Sequence, residues 1–159
     1  MKFNQAAHNF VIKWGLFVAL FFAAIILLVQ GCKKGEDPAA QLYEEYFENN
    51  VLNSDFVVQL ASTDGTDNTA QYNGWVFRLL KNTYYNGPMT AVKNGTTYTG
   101  TWACDESYGR LTININQPSV PAEFVFLNKS WRFTKKDLPI MELAPWGSTA
   151  NQVLHMRRL

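Results

Sequence analysis

Few side chains in this sequence are of the kind that do covalent or acid–base chemistry, and those few stand apart from one another. Beyond residue 31 there is a single histidine, His155. A Ser-His-Asp arrangement would need partners from distant positions. If Leu154 and Met156 face inward, His155 alternates outward as a surface imidazole. Of the two cysteines, Cys104 shares strand parity with Tyr98 and Trp102, which reads as a small buried hydrophobe. No histidine lies nearby in sequence to activate its thiol, and one such cysteine cannot build a cysteine-rich zinc site. Asp64 and Asp67 share a loop with Gly65 and could offer oxygens to calcium, but their spacing matches no EF-hand and the loop reads as an ordinary polar turn. Asp105 and Glu106 are adjacent in a turn before Gly109. A glycoside-hydrolysing pair must flank a bond across a cleft, a geometry that neighbours in one turn do not show. No catalytic residue, metal ligand or cofactor site is read from these residues, and an enzyme is not expected.

The stronger signal is aromatic. Trp75, Phe77, Tyr98, Trp102, Trp131 and Phe133 are expected to point to one interior, either as a solid core or as the lining of a site for a small, mostly apolar ligand. Bulky rings weigh toward a filled interior. Ala144-Pro145-Trp146-Gly147 places a further tryptophan in a loop between strands. It is expected to cover one end of the domain, the alternative being an exposed contact for a sugar or a protein.

The remaining cysteine, Cys32, comes after an apolar run, Leu16 to Val29, which is preceded by Lys2 and Lys13 and no acid. A positive flank before a short apolar core is the secretory pattern. The run ends in Leu28-Val29-Gln30-Gly31-Cys32, which resembles the lipobox of bacterial lipoproteins, with Gln30 standing where a small or aliphatic residue is usual. The resemblance implies a signal peptide over residues 1–31, cleavage after Gly31, and Cys32 as the lipidated first residue. Two or more acyl chains on Cys32 would anchor the protein stably to the membrane. Residues 32–37 then form a tether. Lys33 is not the aspartate that favours inner-membrane retention, and Lys33-Lys34-Gly35-Glu36-Asp37 looks like the surface-export tag of Bacteroidota lipoproteins, interrupted at Gly35. An outer-membrane location is expected, with the periplasmic or surface-exposed face left open.

The chain beyond the signal has the length of one domain, enough for a real core. The sequence has 14 basic and 13 acidic residues, and loss of Lys2 and Lys13 tips the balance slightly acidic. No basic excess exists for nucleic-acid binding, and with Cys32 acylated there is no disulfide framework.

The elements that must position these residues are legible from periodicity. Asp37-Pro38 starts a helix, with an N-cap acid and a proline in the first turn. Tyr43, Phe47 and Val51 recur at helical spacing to about Leu52. From Asp55 the period becomes two. Phe56, Val58 and Leu60 alternate, as do Trp75, Phe77 and Leu79. Asn86-Gly87 marks a turn. Met89 and Ala91 lead to Asn94-Gly95, the strongest hairpin signal in the chain. Tyr98, Gly100 and Trp102 share one face; Leu111, Ile113 and Ile115 form another strand; Trp131 and Phe133, residues 138–143 and residues 153–158 complete eight. In residues 121–127, Pro121-Ala122-Glu123 opens a short helical turn; Phe124 and Phe126 alternate and could equally form a strand, and the turn is preferred.

This order resembles the lipocalin-like domain of many Bacteroidota lipoproteins. The resemblance rests on four segments: Tyr72-Asn73-Gly74-Trp75-Val76-Phe77; Asn94 to Trp102; Leu111-Thr112-Ile113-Asn114; and Leu127 to Phe133 with the closing Val153 to Arg158. Gly100-Thr101-Trp102 lies mid-domain, whereas the Gly-x-Trp of true lipocalins lies near the first strand. The resemblance implies an all-β, antiparallel lipocalin-like barrel of about eight strands with an N-terminal amphipathic helix over residues 38–159, and a general binding role. Two functions remain open: a module for a small apolar ligand, or a structural or accessory envelope lipoprotein that acts through protein–protein contacts.

Overall fold

A computed structural model describes residues 38–159, with side chains from Gln41 onward. The lipobox, the tether and the N-cap at Asp37 lie outside the described residues.

Helix α1 spans Pro38–Asn50. Its C-terminal turn carries Phe47, and Val51 and Leu52 come directly after it; all three are buried. The chain then turns through Asn53, whose φ of 58° is a left-handed value that asparagine tolerates. Tyr43 belongs to the expected apolar stripe but is 50% exposed, because only the last turn of the helix reaches the core. Tyr46 secures the exposed part by donating its hydroxyl to the Lys136 carbonyl at 3.0 Å.

Nine strands come next, all paired antiparallel: β1 Asp55–Thr63, β2 Thr66–Asp67, β3 Val76–Leu79, β4 Asn86–Lys93, β5 Thr96–Cys104, β6 Arg110–Gln117, β7 Ser130–Lys135, β8 Ile140–Pro145 and β9 Gln152–Arg158. Eight of them form a closed ring in the order β1-β3-β4-β5-β6-β7-β8-β9, with β9 returning to β1. The two-residue β2 folds back on β1 and stands outside the ring. This is an up-and-down barrel, in which closure removes the open sheet edges.

Alternation places the core. Phe77, Leu79, Met89, Ala91, Leu111, Ile113, Ile115, Met141, Leu143, Leu154 and Met156 all point inward and are buried. In β1 the register slips between Val58 and Leu60. The extra residue of a bulge shifts the parity, so Ala61 takes the inward place expected of Leu60, which is half-buried. Asn86-Gly87, expected to be a turn, opens β4 instead. Gly87 is needed there because a Cβ would collide with the Leu80 carbonyl and stand 2.9 Å from Trp102 Nε1. Asn94-Gly95 forms the expected hairpin, with φ of 50° and 81° at its two residues, the signature of a type I′ turn.

β1 and β3 share only two register pairs, Asp55 with Arg78 and Phe56 with Phe77. The rest of that seam is covered by η1, the 3-10 turn Thr69–Tyr72. Ala61 donates its N–H to Thr69 Oγ1 at 3.0 Å, and its carbonyl accepts from Asn68 at 2.7 Å. A second 3-10 turn, η2, covers Ala122–Phe124 between β6 and β7, where the sequence predicts a turn. Tyr72 ties the two together by donating its hydroxyl to the Glu123 carbonyl at 2.7 Å.

Candidate functional site

The six aromatic residues singled out in the sequence separate into distinct groups inside the barrel. Trp75, Phe77 and Tyr98 meet around Phe124, which η2 drives inward. Its ring centroid lies 4.9 Å from Trp75, 5.6 Å from Tyr98 and 5.8 Å from Phe77, each pair edge to face. That is the arrangement aromatic quadrupoles prefer. Trp102 belongs to a second group at the helix end, 5.5 Å from Phe47, which in turn lies 4.6 Å from Tyr108. Trp131 packs 5.3 Å from Phe126. Phe133 is only half-buried, with Lys136 Nζ 5.5 Å from its ring.

Three of the rings in these groups spend their polar atom on the backbone. Trp102 Nε1 donates to the Leu80 carbonyl at 2.8 Å, Trp131 Nε1 to the Leu127 carbonyl at 2.9 Å, and the Tyr108 hydroxyl to the Tyr84 carbonyl at 3.0 Å. Burial pushes the Tyr72 hydroxyl up to about 12, and the Glu123 charge adds to this, so it stays a neutral donor. Among the described residues no buried side-chain nitrogen or oxygen lacks a partner, and no polar or charged residue is buried. The interior therefore offers a ligand rings and aliphatic groups with no free donor or acceptor to orient it.

Phe124, Phe126, Tyr72, Tyr108 and Phe47 join these groups without belonging to the six aromatic residues expected in the interior. Phe47 carries the helical period, and Phe124 and Phe126 alternate within the predicted turn. Their destination could not be read because a turn has no face assigned by strand parity.

The other candidates occupy ordinary structural places. Cys104 is half-buried against the core. Burial pushes its thiol well above the usual range, and the Asp105 charge adds to this. Asp105 accepts from the Gly109 N–H at 2.7 Å and from the Ser107 hydroxyl at 3.1 Å. Burial alone would raise its carboxyl, but the Gly109 and Arg110 backbone donors hold it below the ordinary value. Asp67 accepts from the Thr69 N–H at 2.8 Å, and Asp64 sits in the β1–β2 turn with a φ of 51°. His155 pairs in register with Leu60 and Glu142. Trp146 does not cover a barrel end: it is 44% exposed, with the Arg110 guanidinium 5.4 Å from its ring centroid. Pro145 is the last inward residue of β8, so the chain has already left the core when it reaches the indole.

No protein-family model matches the chain, and no curated protein matches it significantly. Among solved structures it is similar to a DUF4847 family protein from Bacteroides vulgatus, known from a crystal structure at 1.00 Å resolution. Identity is 17%, the TM-score is 0.51, and the likeness covers 69% of this chain and 95% of that one. At this identity the relationship is one of fold. The class defined is, among the described residues, a closed, eight-stranded antiparallel barrel with one short helix and one extra strand.

Proposed function

We propose that the chain is a lipid-anchored envelope lipoprotein of the outer membrane, and that its barrel is a filled scaffold working through its outer surface on an envelope partner. The observation that carries the scaffold reading is Phe124: its ring stands where a lipocalin-type ligand would need space, in contact with three of the six residues proposed to line such a site. The anchoring reading is supported by Leu28-Val29-Gln30-Gly31-Cys32 after a positively flanked apolar run. The fold neighbour comes from a Bacteroides species, which fits the Bacteroidota-type residues after Cys32. On this reading the protein has no catalytic role, and its near balance of charge gives no footing for nucleic acid.

Native mass spectrometry of the chain purified from its membranes tests both halves. The expected species begins at Cys32 and carries acyl chains there and nothing else, and Cys32→Ser loses the acyl mass and keeps residues 1–31 uncleaved. A defined additional mass released only on denaturation would mean that the barrel carries a ligand, and would overturn the scaffold reading. A parent protein with an unmodified Cys32 thiol, or with residues 1–31 still attached, would overturn lipid anchoring.

A further inference from the structure

The outer wall at β6, β7 and β8 carries side chains that neither the core nor the turns use. Arg110 and Arg132 are register partners across β6 and β7, and both are exposed. Like charges set directly opposite one another destabilise a sheet. Among the described residues neither guanidinium makes a salt bridge. Asp105 feels the charge of Arg110, but its carboxylate accepts its hydrogen bonds from Gly109 and Ser107. Arg110 lies over the indole of Trp146, which is 44% exposed.

Beside this pair is a hollow of about 290 Å³ whose lining includes Arg132, Ala144, Ser148, Thr149, Asn151 and Gln152. Ala144 is the register partner of Arg132 on β8, and its small side chain leaves the floor of the hollow clear.

We propose that Arg110, Arg132, Trp146 and this hollow form a binding site for an acidic saccharide, a sugar ring bearing a carboxylate or a phosphate. The guanidinium forks match the bidentate geometry of those anions. The open indole offers a flat apolar surface to the C–H face of a sugar ring. The hydroxyl and amide groups of the β8–β9 loop match sugar hydroxyls. At about 290 Å³ the hollow falls just under the roughly 300–1,000 Å³ of ligand pockets, which suits one ring and its charged substituent. The proposal goes beyond the scaffold reading and is independent of lipidation and of what the barrel interior holds.

The test is a calorimetric titration of the full chain in mild detergent. The probes are a uronic-acid tetrasaccharide, glucose 6-phosphate, neutral cellotetraose, inorganic phosphate and a glutamate peptide. One of the two acidic sugars is expected to bind with a Kd of about 1 mM or tighter, and cellotetraose about tenfold more weakly or worse. Affinity should fall as salt rises. Arg132→Gln and Trp146→Ala are each expected to weaken binding by about tenfold, while Arg157→Gln, at an exposed position of β9, leaves it unchanged. All three changes are at exposed positions, and unchanged thermal midpoints would verify the fold. The proposal is overturned if neither acidic sugar saturates, if cellotetraose binds as well, if either site variant binds like the parent, or if phosphate or the glutamate peptide binds as tightly as the sugar.

Discussion

Phe124 stands edge-on to Trp75, with ring centroids 4.9 Å apart and planes at 67°. One ring comes from a short turn between strands and the other from the residue before β3, so two segments distant in sequence contribute to one core. Replacing Phe124 with alanine removes the hub of this group. Such changes cost about 3–5 kcal/mol, and urea unfolding should show a lower midpoint with little change in slope. The gap would be lined by rings and aliphatic groups and should stay dry. Benzene should therefore raise the melting temperature of Phe124→Ala and leave the parent unmoved.

Asn128 stands in for a strand. Its side-chain oxygen accepts the Ile115 N–H at 2.7 Å, and its amide donates to the Ile115 carbonyl at 2.9 Å. The register pairs of β6 with β7 stop at Thr112 and Ser130, so Ile115 depends on this amide. Asn128→Ala leaves both backbone groups unpaired and should cost about 1–3 kcal/mol. Amide exchange at Ile115, monitored by NMR, should speed up in the variant, while that at Leu111 should change much less.

Asp55 and Arg78 form a two-point ion pair across β1 and β3, with distances of 2.7 and 2.8 Å. The hydrogen bond from Arg78 is the main influence holding the Asp55 carboxyl below its ordinary value; partial burial opposes it and the Arg78 charge assists. A carboxyl depressed on folding stabilises above its unfolded pKa of about 3.9, and that contribution fades as pH falls through the folded value. Both side chains are about a third exposed or more, so the contribution should stay below about 1 kcal/mol. Thermal melts should show Asp55→Asn less stable than the parent at neutral pH, with the difference closing below about pH 4. An unchanged gap at pH 2 would reject the pair as its source.

Cys104 should resist alkylation. Its thiol is held in the protonated form by burial, with Asp105 reinforcing the effect, and it is the thiolate that reacts. Iodoacetamide at pH 8 should leave the Cys104 peptide unlabelled in the folded protein and label it fully in urea, read by peptide mass spectrometry. Rapid labelling without denaturant would contradict this.

Strand periodicity carried most of the barrel. Phe77 and Leu79, and Leu111, Ile113 and Ile115, lie inward as alternation requires, and Asn94-Gly95 makes its turn. What parity could not carry are the departures from parity. The β1 bulge exchanges Leu60 for Ala61, and no residue type announces it. Gly87 looks like a turn glycine in sequence, yet its reason is the Leu80 carbonyl and the Trp102 indole packed against it, both tertiary facts. The candidate lining was half-legible for the same cause. Trp75, Phe77 and Tyr98 do converge, but on a phenylalanine from a turn, and Trp102 and Trp131 sit with partners of their own. The Arg110–Arg132 pairing needed the register of β6 against β7, which a sequence does not print.

The ring closes between β1 and β9, the first and last strands of the domain. Until residues 152–158 are present, β1 lacks its longest partner, and contacts of such wide separation in sequence are the slow ones to form. A ribosome or a translocation pore delivers this chain from its N-terminus, so all but the final stretch emerges before the barrel can exist. Removing β9 would therefore cost the whole ring rather than its edge, and residues 152–158 act as the latch of the domain.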